Sequence, residues 1–296
     1  MLRLRWTRDP DKSKRVLVGG LELAHTDSGS GRPIVFLHGG IGSTYIWRGV
    51  IPQLAEVARC VAVDLPGTGD SDRIPAGAPT QYTWPLHVEY LDGFLDRLGI
   101  TGDLTLVMHG WASIVGLAWA RDNEDRVAGL SYMEAVTRPM AWHEVPESFR
   151  ETLKLVRSDD GASYVMRSDE FFEACLDAQT SYRLSPTVAA EYQRAFGPQG
   201  DARRAVYNAL KDLPLAGRPR ESARLVRRIG DWLKASDIPK LLILGQPGYL
   251  VTEFGRRAAE NIENQSVVRV SGRHLLPEET PELVGTFLRL WWQDLE

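Results

Sequence analysis

At 296 residues, the chain fits either two domains or one core with an inserted lid, since α/β proteins keep about 200–250 residues around a single sheet. Hydrophobic residues make up 43% and charged residues 25%, with 35 Lys and Arg against 39 Asp and Glu, a net charge of −4. That balance excludes a disordered chain and gives no electrostatic footprint for nucleic acid or an anionic membrane.

Charge interrupts Met1 to Pro10 too early for the apolar core of a secretory signal, and no stretch approaches the roughly 20 apolar residues of a membrane span. The expectation is a cytoplasmic protein. From there, short apolar runs alternate with helical patterns, which predicts βαβ units around a mainly parallel sheet. Arg15 to Val18 and Gly20 to His25 read as an opening antiparallel pair, and Ile34 to Leu37 as a strand buried on both faces. Trp47 to Ala58 is the expected first crossover helix, Cys60 to Val63 the next strand, and Leu65 to Asp72 a loop. A helix over Tyr82–Leu98 precedes a strand at Leu104–Met108, a helix at Ile114–Ala120 and a strand at Arg126–Met133. Between about Pro139 and Ser222 the strand rhythm stops and helical segments rich in Phe, Tyr, Arg and Asp take over. Strands return at Lys240–Gly245 and Ser266–Val270, and Pro281–Trp292 closes the chain as an amphipathic helix. The division expected is a core of residues 1–137 and 223–296 with a helical cap at 138–222.

In an open parallel sheet, ligands bind at the carboxyl ends of the strands. Four segments fall there: His38-Gly-Gly40, the turn from Met108 to Ala112, Glu134, and Gly272-Arg-His274. The strand, sharp turn and helix around 108–112 have the pattern of a nucleophile elbow, which holds a reactive side chain out into the pocket. Its central residue is Gly110, which has nothing to attack with, and no Gly-x-Ser-x-Gly motif occurs elsewhere.

From about Gly20 to Trp292 the sequence resembles the α/β-hydrolase fold and, within it, the haloalkane dehalogenase family with its related marine luciferases. The resemblance rests on His38-Gly-Gly-Ile-Gly-Ser-Thr-Tyr-Ile-Trp-Arg48, Asp64-Leu-Pro-Gly-Thr-Gly-Asp-Ser-Asp72, His109-Gly-Trp-Ala-Ser113, Tyr132-Met-Glu-Ala135 and Gly272-Arg-His274. It implies a mostly parallel eight-stranded sheet flanked by helices, with an inserted helical cap. It also implies a reaction in which an elbow aspartate displaces halide from carbon, a histidine activates water against the resulting ester, an acid orients the histidine, and Trp and Asn side chains hold the halide. By position the histidine is His274, the orienting acid Glu134 and the halide-binding tryptophan Trp111. Gly110 stands where the resemblance places the nucleophile, and Gly40 where it places the halide-binding asparagine.

A histidine paired with a carboxylate is suited to general-base work, and the backbone N–H groups of Trp111 and Gly40 form a candidate oxyanion or substrate-binding hole. The leading expectation is therefore a cofactor-independent enzyme using His274 and Glu134 for noncovalent base chemistry: cyclisation, elimination, isomerisation or hydrolysis by activated water. The alternatives are an inactive small-molecule-binding protein and a haloalkane dehalogenase or its nucleophile-deleted variant. His109, Trp142, Phe149 and Phe172 are candidate pocket residues. The polar segment Cys175–Tyr182 points to a larger, oxygenated substrate. No metal is expected, because Cys60 and Cys175 lack ligand spacing and the Asp64–Asp72 loop lacks a matching cluster. The expected partner is a small organic molecule, with neither nucleic acid nor membrane, and a monomer or homodimer as the assembly. The arginines from Arg218 to Arg228 read as a solvated helix face, and Trp291 with Trp292 either docks the last helix or forms a dimer seam.

Overall fold

A computed structural model describes residues 13–77, 82–251 and 253–295. The expectation drawn from Met1 to Pro10 lies outside them. Eight strands form one sheet: β1 (Lys14–Val18), β2 (Leu21–Ser28), β3 (Pro33–Leu37), β4 (Arg59–Val63), β5 (Leu104–His109), β6 (Val127–Met133), β7 (Lys240–Pro247) and β8 (Gln265–Gly272). Their spatial order is β1-β2-β4-β3-β5-β6-β7-β8. The first two pairings, β1 with β2 and β2 with β4, are antiparallel and all others parallel.

The continuous apolar run of β3 follows from burial on both faces. Val35 and Leu37 join the apolar cluster on one side, while Ile34 and Phe36 join the cluster on the other. Each such side chain, fully buried, contributes about 1.5–3 kcal/mol. On the first side the sheet is covered by α2 (Trp84–Arg97), α3 (Ala112–Asp122) and α9 (Arg220–Ala235), through Phe94, Val115 and Ile229 among others. On the second it is covered by α1 (Ile51–Leu54) and α12 (Pro281–Gln293). Trp291 and Trp292 are buried there, so this pair docks the last helix. The crossover helix expected over residues 47–58 is a single turn, α1, preceded by a 3-10 turn at Thr44–Trp47. Gly49 and Pro52 account for the difference: glycine weakens a helix interior, and proline, with no N–H, sits only in a first turn. The arginines along α9 are solvent-exposed, as a solvated face requires.

Between β6 and α9 lies an inserted helical cap: α4 (Glu147–Val156), α5 (Gly161–Arg167), α6 (Asp169–Gln179), α7 (Pro186–Phe196) and α8 (Arg204–Lys211). The chain leaves and re-enters the core side by side, since Met140 and Leu215 form a parallel bridge. Two polar anchors fix the cap. Buried Arg203 donates to the carbonyls of Gly197 and Ser168 and covers the Phe196 ring. Glu278, on the one-turn helix α11 (Leu276–Glu279) after β8, accepts a bidentate pair from Arg48 at 2.5 and 2.7 Å and the Tyr192 hydroxyl of α7 at 2.9 Å. The remaining helix, α10 (Glu253–Glu260), links β7 to β8. No described helix is long and apolar enough to cross a membrane.

Candidate functional site

Parallel pairing aligns the carboxyl ends of β5, β6 and β8 on one rim, under the cap. His109 ends β5 opposite Met133 of β6, and the Gly110 N–H donates to the Met133 carbonyl at 3.1 Å. The chain then reverses through Gly110 in the left-handed region, at φ 59°, and enters α3 two residues later, after the N-cap Trp111. Glycine adopts that conformation without strain, whereas any other residue incurs roughly 1–2 kcal/mol there. The strand-turn-helix shape of an elbow is thus present without a reactive side chain.

Glu134, directly after β6, is also left-handed (φ 48°) and almost fully buried. Its Oε2 accepts the backbone N–H groups of Tyr249 and Leu250 and faces Nδ1 of His274 at 3.3 Å. With Nδ1–H directed at the carboxylate, the imidazole carries its free lone pair on Nε2. A Cβ placed on Gly110 would lie 3.4 Å from that Nε2 and 3.5 Å from the Cα of Gly39, ordinary contact distances. The His274 loop is held by its own N–H and that of Leu275, both donating to the Gln179 carbonyl of α6, so the cap itself positions the base.

Trp111, at the N-cap of α3, is 7% exposed, with its ring against Trp84 and His87 of α2 at 5.3 and 5.6 Å between centroids. Its indole Nε1 is buried with no protein partner. A Cβ on Gly40 would fall 2.2 Å from this nitrogen, so the indole occupies the volume that a side chain at position 40 would need.

Trp111, Gly40 and His274 share the wall of one cavity, of about 40 Å3, with Gln179, Cys175 and Tyr249. The rest of the lining is apolar, including Ile41, Phe149 from α4, and Val206 and Leu210 from α8. Of the four candidate pocket residues only Phe149 lies on it. His109 sits behind the base: its Nε2–H donates to the His274 carbonyl at 2.7 Å, and burial and the neighbouring His274 ring hold its pKa well below the usual value. Phe172 packs on Phe196 inside the cap, and Trp142 lies over Arg157. The polar segment 175–182 turns Asp177, Ser181 and Tyr182 to solvent and gives the cavity only Cys175 and Gln179. Burial pushes the Cys175 thiol up to about 12, so it is neutral. The expectation of a large, oxygenated substrate therefore has no lining to support it.

Gln179, Tyr249 and the Trp84–His87 wall were not anticipated from sequence. Cys175 and Gln179, four residues apart on one helix face, carried a usable signal. So did Tyr249, which follows β7 on the same rim as Glu134 and His274. Among the described residues no cluster of His, Cys, Asp and Glu could hold a metal ion.

A β-sheet of this order with a cap over a His–Glu pair and an elbow defines a hydrolase class, and a family model described as "alpha/beta hydrolase fold" matches residues 32–279. A haloalkane dehalogenase of Sphingobium indicum is 36% identical over 274 residues, covering 93% of each chain, and one of Mycolicibacterium smegmatis is 35% identical over 271 residues, covering 90% of this chain and 86% of its own. The solved haloalkane dehalogenase DatA from Agrobacterium tumefaciens superposes with a TM-score of 0.88 at 30% identity, covering 96% of this chain and 97% of that one. The chain belongs to the haloalkane dehalogenase family of the α/β-hydrolase fold, and it is a hydrolase-like enzyme of a family that acts on small organic molecules.

These relatives overturn the leading expectation of a separate noncovalent base chemistry by cyclisation, elimination, isomerisation or activated water. The likeness covers 90–96% of the chain, core and cap together. Beyond His274, Gln179, Cys175, Tyr249 and the Trp111 N–H, the cavity lining is apolar, a poor match for the oxygenated substrate such reactions would need.

Proposed function

We propose that the chain is a haloalkane dehalogenase in nucleophile-deleted form: a small, apolar pocket for a haloalkane, an indole donor for the leaving halide, and a water-activating His274–Glu134 pair, with the displacing carboxylate missing at position 110. The observation that carries this reading is the space above Gly110, where the nearest atoms an added Cβ would meet, on the His274 ring and the Gly39 backbone, lie at contact distance. Displacement by an enzyme carboxylate forms an alkyl ester, and the bare Nε2 lies where it takes a proton from water attacking that ester. His274 and Glu134 are the catalytic residues in this assignment, Trp111 the halide donor, and Gly40 a position given over to the indole. The same reading takes the protein as cytoplasmic, working as a monomer or homodimer.

Gly110→Asp tests it by bromide release from 1-bromobutane. Covalently held nucleophiles reach effective molarities of about 10⁵–10⁸ M, so the variant is expected to exceed the parent by at least about 10³-fold. A correctly folded variant with no release above the parent would overturn the assignment.

A further inference from the structure

Glu134 orients His274, and Glu134 is itself held by a turn at the end of β7. Its Oε2 accepts the backbone N–H groups of Tyr249 and Leu250, the last two residues of that turn. The turn is tightly folded. Gly248 is left-handed at φ 73°, its N–H donates to the Gly272 carbonyl of β8 at 3.0 Å, and a Cβ on Gly245 would fall 3.0 Å from the Gly248 Cα. Arg256 of α10 ties the turn together, because its Nη2 donates to the Gly245 carbonyl at 2.9 Å and also to the Pro247 carbonyl. The same guanidinium stands beside the carboxylate. A Cβ on Gly248 would lie 3.2 Å from Arg256 Nη2 and 3.2 Å from Glu134 Oε1, so both groups close on one point beside that glycine. Glu134 Oε1 is buried and meets no protein donor. A buried carboxylate oxygen in that condition is costly unless positive charge stands near it.

We propose that Arg256 is a positioning residue for the base. It fixes the turn at 245–250 so that the Tyr249 and Leu250 N–H groups hold Glu134, and its charge faces the free Oε1, which leaves Oε2 aimed at His274 Nδ1. Arg256 does not line the cavity, so it acts through Glu134 and not on substrate. The kinetic consequence rests on the haloalkane reading above, whereas the effect on the imidazole does not.

Without the clamp, the turn loosens and the carboxylate has no fixed rotation about its last torsion. His274 then loses its preference for carrying the proton on Nδ1, and an imidazole protonated on Nε2 has no lone pair there to accept a proton from water. Displacement by a carboxylate at position 110 needs no imidazole. Loss of Arg256 therefore slows the later hydrolysis and leaves the displacement alone.

Two readouts test this. The first is imidazole nitrogen NMR of His274 in the otherwise unmodified protein, in Arg256→Met and in Arg256→Lys, at about pH 8.5, above the ordinary histidine range. The Nδ1–H form is expected to predominate in the parent, to give way to a mixture of tautomers in Arg256→Met, and to return in Arg256→Lys, which keeps both donors and charge. The second is bromide release from 1-bromobutane in the Gly110→Asp background. There Arg256→Met keeps the initial burst and lowers steady-state release by roughly 10–10²-fold, the scale of a small misplacement of a working group, and Arg256→Lys recovers most of the loss. Should Arg256→Met not fold, Arg256→Gln carries the same expectations. A variant with the tautomer and turnover of its parent, a burst lost together with turnover, or a loss that lysine does not repair would overturn the inference. If Gly110→Asp itself releases no bromide, the haloalkane reading falls, and the nitrogen spectra alone decide the role of Arg256.

Discussion

Two glycines of the site, Gly40 on the cavity wall and Gly110 at the elbow beside His274, have opposite surroundings. Above Gly110 a side chain has room, with the nearest atoms at 3.4 and 3.5 Å. At Gly40 it has none, because the indole of Trp111 lies 2.2 Å from where a Cβ would be. At position 110 a side chain would meet its neighbours at contact distance, while at position 40 it would meet an indole already in place. The difference teaches that the two positions are not equally open to substitution: under the proposed function a carboxylate is introduced at 110 by one change, whereas any side chain at 40 has to displace an aromatic ring.

The largest expected effect is the gain of bromide release in Gly110→Asp, which breaks the comparison if Gly40→Asn alone produces a similar gain. Next comes Glu134→Gln in the Gly110→Asp background. It leaves the carboxylate displacement intact but weakens the orientation of His274, so the first turnover persists as a bromide burst while steady-state release falls by roughly 10²–10⁴-fold. Stopped-time bromide assays read both phases, and loss of the burst along with turnover would show that Glu134 serves the displacement instead. Third, Gly40→Asn drives a side chain into the indole and is expected to lower stability by about 1–3 kcal/mol in urea denaturation, with the midpoint shifted and the slope unchanged. A neutral result would mean that Trp111 swings away freely.

The smallest effect concerns the wall behind Trp111. Burial pushes the His87 imidazole down to about 3, and burial lowers His109 as well. Above the ordinary histidine value of 6.5 both states are neutral and neither group contributes to pH dependence. As pH falls below it, the unfolded chain takes up protons that the folded chain refuses, so stability drops. His87→Phe removes one such group and should flatten the fall between about pH 6 and 4 by up to about 1.4 kcal/mol per pH unit. An unchanged slope in pH-dependent urea melts would contradict the assignment.

Strand order along the chain was legible because a sheet buried on both faces demands continuous apolar runs such as Ile34–Leu37, and the strand ends then marked His274, Glu134 and the elbow. The first crossover helix was over-read, since Gly49 and Pro52 shorten it to one turn. Pocket lining was the least legible part. Phe149 and Phe172 carry the same apolar signal, yet one faces the cavity and the other Phe196, and only the packing of α4 and α6 distinguishes them. The polar letters of 175–182 misled in the same way, because helix phase sends Asp177 outward while Cys175 and Gln179 face in. The absence of one side chain misdirected the leading expectation of the reaction, and the family match over core and cap together corrected it.

The central claim is that the cavity still aligns a haloalkane for displacement at position 110. Intact-mass spectrometry of Gly110→Asp/His274→Ala after incubation with 1-bromobutane tests it most directly, because without the base an ester on the elbow is not hydrolysed. One butyl group per chain, mapped by peptide analysis to position 110, is the expected result. An unmodified chain, or alkylation scattered over other residues, would contradict it.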